Sequence, residues 1–155
     1  MNTPLQGVKS RNALLPFKTE EEVIACFKAI DASTAPKLAA LFGRTSKAAL
    51  DIRPVDKLAR NTASSHYIFP TVDGARVAVF YAAIADPLKF TSHDMTSLFL
   101  HEGRASYHFQ MALQQELDVP RFRRYAWHTS YGEGWALYAE SLAKKCVCTL
   151  IPSRI

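Results

Sequence analysis

Cysteine is scarce and oddly counted: the chain has three, Cys26, Cys146 and Cys148, in 155 residues. An odd number without framework spacing excludes a small secreted domain built on disulfides. Cys146-Val-Cys148 lacks the two-residue gap of a redox or zinc element, and Cys26 falls on an apolar helical face, where it packs as a small hydrophobe. Long apolar runs are missing too. No stretch approaches the roughly 20 residues of a membrane-spanning helix. The N-terminus, Met1-Asn-Thr-Pro-Leu-Gln-Gly7, has no basic segment followed by an apolar one, so no signal peptide is read and the chain as it stands is expected in the cytoplasm, with no membrane partner. Charge of one sign is in small excess: 19 basic against 14 acidic residues give a net +5, spread along the sequence except at Arg121, Arg123 and Arg124. No helix-turn-helix, zinc-finger or RNA-binding signature accompanies that excess, which argues against a nucleic-acid partner. The arginine cluster reads as a solvated helix start or a contact to further polypeptide.

What is present suits one globular domain over residues 1–155, with 48% hydrophobic and 21% charged residues. Thr19 can cap a helix that Glu22 completes as a capping box, with Val23, Ile24, Phe27 and Ile30 on its apolar face. Asp31 to Thr34 reads as a break, followed by a second helix from about Ala35 to Phe42 with Gly43 at its left-handed cap. Ala49 to Val55 is expected to be extended, Pro54 placing it at an edge or an end. His66 to Phe69 and Arg76 to Ile84 read as a β-hairpin turning at Val72-Asp73-Gly74. A long helix then starts near Thr91 or Ser92 and reaches about Leu117; unbroken it would be ~40 Å long, and a kink near Gly103 to Ser106 would relieve that length. Pro120 opens a last helical region, expected to break around Tyr131 to Gly134 and to resume through Leu142. His66 and His93 read as surface or capping histidines. The fold class is therefore mainly α with a small antiparallel β-hairpin, that is α+β.

The chemistry concentrates in Leu98 to Gln110, where His101, Glu102 and His108 sit in a helical, apolar-flanked segment. A His-Glu pair with a second His along a helix is an arrangement that holds zinc, the carboxylate acting on a bound water. In the H-E-x-x-H form the two ligands lie one turn apart, but here that fifth position is Ala105. His108 returns to within roughly 20° of the His101 face but about 10 Å further along a straight helix, too far for one ion unless the helix breaks. The plain alternative is a row of polar side chains satisfying neighbours in a core. A second stretch, Tyr131 to Glu140, places Glu133 and Glu140 on one helical face, with Trp135, Leu137 and Tyr138 in its apolar remainder.

Together these stretches resemble the signature of a bacterial metallopeptidase-like family, domain of unknown function 885, whose pattern runs H-E-x-x-P-G-H-H-x-Q and then E-G-W-A-L-Y-A-E. His101, Glu102, His108 and Gln110 match the first motif, and Glu133 through Glu140 match the second in full. Pro120 to Arg124, Ile52 to Val55 and Tyr67 to Tyr81 also fit, so the likeness covers roughly Leu15 to Lys144 and leaves 145–155 as a divergent tail resembling read-through after a truncation. Ala105-Ser106 stands where the family has Pro-Gly, and Tyr107 where it has the first of two histidines. If the family's ligand is that first histidine the site here is lost; if it is the second, His108 remains and only the kink is in question. The resemblance implies a fragment of a larger gluzincin-like helical peptidase fold, whose relatives are several times longer and often exported. It implies zinc held by His101, His108 and Glu133, with Glu102 as the proton-transferring base in peptide hydrolysis. Tyr107, Gln110, Tyr138 and Glu140 would support the ligands, and the hairpin edge would hold an extended peptide substrate. The competing expectation is a non-catalytic remnant that binds no metal and serves at most as an interaction module.

Overall fold

The computed structural model describes residues 17–90 and 92–142, without the side chains of residues 92 and 93. The expected cap at Thr91 or Ser92, the side chain of His93, Cys146, Cys148 and the divergent tail lie outside what is described. The first helix, α1, spans Glu20–Phe42, starts on the expected Thr19–Glu22 capping box and ends on Gly43 at φ 63°. The expected break at Asp31 to Thr34 is not there. Val23, Phe27, Ile30, Thr34 and Leu38 form one buried stripe at helical spacing, continuous through the polar stretch and past Pro36. Ser33 and Thr34 both turn their hydroxyls back onto the Ile30 carbonyl, which leaves the helix intact. Packing along the whole stripe outweighs the local signals for an end.

Strands β1 (Leu50–Pro54), β2 (His66–Ile68) and β3 (Ala78–Ala82) form one sheet in the order β1-β3-β2. The β2–β3 hairpin is antiparallel, pairing Tyr67 with Phe80, and its loop carries Gly74 at φ 74°. β1 adds a third strand, parallel to β3, with Pro54 at its end, where a missing N–H interrupts nothing. Sheet and helices meet in a core of Phe27, Ile52, Phe80, Ile84, Met95 and Phe99. Phe80 stands edge-on to both Phe27 and Phe99, with centroids 5.2 and 5.3 Å away, a favoured aromatic geometry.

Helix α2 (Ser92–Glu102) stops at Gly103, and a nine-residue π-helix, Arg104–Ala112, follows before the short α3 (Leu113–Gln115). The break thus falls within the expected kink and needs no Pro-Gly. A Cβ on Gly103 would stand 2.6 Å from the Phe99 carbonyl oxygen and 2.7 Å from its ring, so only glycine lets the chain turn this close to the preceding turn. The wide turn shows in the bond from His108 N–H to the Gly103 carbonyl, 3.1 Å.

The last region also breaks elsewhere than expected. α4 (Arg121–Tyr125) follows Pro120, the chain is irregular over 126–128, and α5 (Thr129–Ser141) runs uninterrupted through both glycines. Gly132 serves packing: a Cβ there would come within 2.2 Å of the Trp127 ring. Leu137 and Tyr138, read as apolar packing, are exposed, while Gly132, Ala136 and Ala139 face the core. Among the described residues no helix is long and apolar enough to cross a membrane.

Two glycines give a paired test of these backbones. Gly103→Ala is expected to destabilise the chain by about 1–3 kcal/mol through overpacking. Gly134→Ala, in open space within α5, is expected to stabilise it by roughly 0.5–1 kcal/mol. Urea unfolding midpoints read both, and a Gly103→Ala midpoint at or above the parent's contradicts the close approach.

Candidate functional site

The His101 imidazole, near the C-terminus of α2, lies between two carboxylates of α5. Its Nδ1 is 2.5 Å from Glu140 Oε1 and its Nε2 is 3.2 Å from Glu133 Oε2. Because Glu133 and Glu140 share a helix face, one straight element supplies both ends of this clamp. Ser97, one turn ahead of His101 on α2, donates to the other oxygen of Glu140 at 2.9 Å and fixes that carboxylate. Tyr107 donates to Glu133 Oε1 at 2.6 Å, and its ring stands perpendicular to His101 with centroids 5.9 Å apart.

His108 is not part of this group. Its Nδ1 shares a 3.0 Å hydrogen bond with the hydroxyl of Tyr67, on β2, and the residue is 2% exposed. The hollow beside it is lined by Ala35, Leu38, Ser46 and Arg104, on the α1 side of the π-helix. The break at Gly103 and the π-turns change the angular register so that Tyr107, and not His108, comes round to His101. Arg104 anchors the same segment through a two-pronged ion pair with Asp31 of α1, Nη2 to Oδ2 at 2.9 Å.

The other expected residues divide between support and surface. Gln110 donates from Nε2 to the Tyr131 carbonyl at 2.9 Å, fixing the first turn of α5 that carries Glu133. Trp135 donates to the Ala105 carbonyl at 3.1 Å and stacks on Phe109, locking α5 to the π-helix. Tyr138 is exposed beside Trp135. Glu102, next to His101 at the end of α2, is half-buried and within the electrostatic reach of His101, Glu133 and His66. His66 stacks on Tyr81 and turns Nδ1 to the Ser64 carbonyl.

Burial works against the imidazolium at His101, but the bonds to Glu140 and Glu133 outweigh it and its pKa is raised. Burial opposes the charged form of Glu140 as well, yet His101 and Ser97 bring its pKa below the ordinary carboxylate value. Burial, aided by the charge of Glu133, raises the carboxyl of Glu102. Tyr107 is held well above the ordinary phenol value by burial and by Glu133. His108 is pushed down to about 4 by burial and by the Arg104 charge, so it is a neutral imidazole near pH 7.

Two of these donors suit zinc. A tetrahedral ion with ligands near 2.0–2.1 Å places them about 3.3 Å apart, and His101 Nε2 and Glu133 Oε2 are separated by 3.2 Å. The carboxylate behind His101 is the usual support of a ligating imidazole. The third side chain at this point is a phenol in its neutral form, a poor ligand until it loses its proton. Among the described residues no three His, Cys, Asp or Glu side chains are gathered to hold a metal. The set therefore fits zinc in two positions and not in a third.

Sequence reasoning missed Ser97 and Tyr67. Ser97 had a signal, its i, i+4 spacing from His101; Tyr67 is distant in sequence from His108 and meets it only through the tertiary fold.

The clamp has a sign in pH. Glu140, with its pKa lowered, stabilises the fold above the unfolded value near 4.5 and loses that contribution as pH falls through its folded pKa. His101, with its pKa raised, stabilises the fold below the unfolded value near 6.5 and loses that contribution as pH rises through its folded pKa. The clamp is therefore strongest between about pH 4.5 and 6.5, and thermal midpoints of the chain without added metal are expected to decline above that window. His101→Gln should flatten the decline; an undiminished slope in that variant would assign it to other groups.

Comparison with known proteins shows the family and the fold. A model of the family described as "Bacterial protein of unknown function (DUF885)" matches residues 5–146. No curated protein matches the chain. A crystal structure described as that of a "putative lipoprotein" from Colwellia psychrerythraea has the same fold, with a TM-score of 0.81 and 23% identity over 97% of this chain. The match spans 27% of that protein's chain, so the 155 residues correspond to about a quarter of its length.

Proposed function

Since the chain belongs to the DUF885 family, we propose that it keeps the frame of a peptidase-type zinc site without a complete ligand set, and acts as a non-catalytic, peptide-binding module. The observation that carries this reading is the side chain facing His101 and Glu133. It is Tyr107, hydrogen-bonded to Glu133, while His108 is engaged with Tyr67. A catalytic zinc needs three protein ligands and an open position for water. Here the third position holds a neutral phenol that already donates its proton to one of the two remaining ligands.

The resemblance to the H-E-x-x-P-G-H-H-x-Q pattern supports the peptidase-type origin of the frame, and the support of His101 by Glu140 is the kind a ligating imidazole has. Glu102, which follows His101 and has a raised carboxyl, is the residue that the resembled motif would use as the base of a hydrolase. Without a metal to polarise a carbonyl and acidify water, that carboxyl has no activated nucleophile to serve. What the residues can still do is receive an extended peptide. Among the described residues the outer edge of β2 is unpaired, and His66 on that strand lies within the electrostatic reach of Glu102.

Calorimetric zinc titration of the chain and of Tyr107→His tests this. The parent is expected to bind zinc no tighter than about 10 μM, and the variant at one equivalent at least about 100-fold tighter, the gain of one imidazole ligand. Tight stoichiometric zinc in the parent, lost in His108→Ala and accompanied by peptide hydrolysis that Glu102→Gln abolishes, would establish an active zinc peptidase instead.

A further inference from the structure

The phenol that meets His101 and Glu133 is a poor donor for zinc and a suitable one for a different ion. An imidazole nitrogen and a phenol oxygen flank one carboxylate. Nε2 of His101, from α2, is 3.2 Å from Glu133 Oε2, and the hydroxyl of Tyr107, from the π-helix, is 2.6 Å from Glu133 Oε1. The Tyr107 and His101 rings stand at 90° to each other. Each side chain is held by a neighbour. Glu140 takes the Nδ1 side of His101 and is itself fixed by Ser97, while the Trp127 ring meets Tyr107 edge-on with centroids 5.6 Å apart. Tyr67 and His108 are bonded to each other and stay outside this group.

Imidazole, carboxylate and phenol make a donor set of one nitrogen and two oxygens. Zinc, a borderline-soft divalent ion, gains little from a neutral phenol. Ferric iron is harder and more highly charged, favours anionic oxygen donors and displaces a phenolic proton; tyrosine is one of the axial ligands that proteins give haem iron. An octahedral ion with bonds of about 2.0–2.1 Å sets neighbouring donors about 3 Å apart, and His101 Nε2 and Glu133 Oε2 are 3.2 Å apart. Charge favours the same ion. Glu133, a phenolate at Tyr107 and Glu102, which already feels the charge of Glu133, bring three negative charges to meet a trivalent cation.

We propose that His101, Tyr107 and Glu133 form a site for ferric iron, with Tyr107 bound as its phenolate. The proposal rests on the placement of Tyr107 beside Glu133 that leaves the zinc set incomplete, and it names the ion that the altered set takes instead. Binding releases two protons to solvent: the phenolic proton that Tyr107 donates to Glu133, and the proton between His101 Nε2 and Glu133. No electron moves, and the iron stays ferric.

The test titrates the whole 155-residue chain with ferric nitrilotriacetate and follows visible absorbance. A phenolate-to-iron charge-transfer band is expected, saturating at about one iron per chain, carrying tyrosinate modes in resonance Raman and surviving an excess of zinc. Tyr107→Phe, with unchanged circular dichroism, should lose the band, whereas Tyr67→Phe, which alters the phenol bonded to His108, should keep it. His101→Gln and Glu133→Gln should each weaken iron binding at least about tenfold. The Raman modes of the parent chain stand whether or not any variant folds. Absence of the band, its survival in Tyr107→Phe, or a signal that never saturates, which marks iron adhering to scattered surface phenols, overturns the proposal. A chain that takes up neither zinc nor iron removes this proposal and leaves the incomplete zinc site standing; tight zinc without the band removes both.

Discussion

The seat of Gly103 on Phe99 is the constraint from which the rest of the centre follows. Phe99 is fully buried and edge-on to Phe80, so its ring is fixed by the sheet before the chain reaches the turn. With no side chain at position 103, the backbone closes over that ring and the following nine residues wind as a wide helix. The wide winding brings Tyr107 to His101 and sends His108 toward Tyr67. A straight α-helix with the same sequence would put His108 near the His101 face and a full two turns away.

What holds the cluster together is a set of bonds between elements and not any one strong pair. Glu140 and Glu133 tie α2 to α5, Tyr107 ties the π-helix to the same carboxylate, and Trp135 and Gln110 add two side-chain bonds to backbone carbonyls. The carboxylates and His101 are partly exposed, so solvent screens their attraction and each pair alone is a modest contribution. Their joint effect is on orientation. An imidazole bonded at both nitrogens cannot rotate, and a helix bonded at residues 131, 133, 135 and 140 cannot slide. The polar centre thus acts as a staple between the helices.

Much of this was legible where a signal is local. The capping box at Thr19 and Glu22, the left-handed Gly43 and the hairpin with Gly74 each depend on a few adjacent residues whose chemistry allows little else, while the kink near Gly103 was expected from the length of an unbroken helix. The shared face of Glu133 and Glu140 follows from helical spacing alone. Two expected breaks were misplaced because local breakers met stronger packing. The Asp31 to Thr34 stretch stays helical since Thr34 and Leu38 continue the buried stripe, and Gly132 stays helical since Trp127 fills the space beside it. The parallel pairing of β1 with β3 had no sequence mark, because register between strands so far apart is set by the fold. Nor could spacing choose between Tyr107 and His108 as the neighbour of His101, since that choice depends on a π-turn, which no residue pattern announces.

The strand order carries one consequence for how the molecule is made. β3 is the central strand and the last of the three to leave the ribosome, while β1 and β2 flank it and do not pair with each other. Nothing in the sheet can therefore form as its first two strands emerge. β1 must wait, unpaired, through the whole of β2 and the hairpin loop, and its entire ladder is made in one step once Ala78 to Ala82 arrive. Synthesis that stalled before residue 78 would leave β1 and β2 without a partner, their backbone groups open to pairing with another chain.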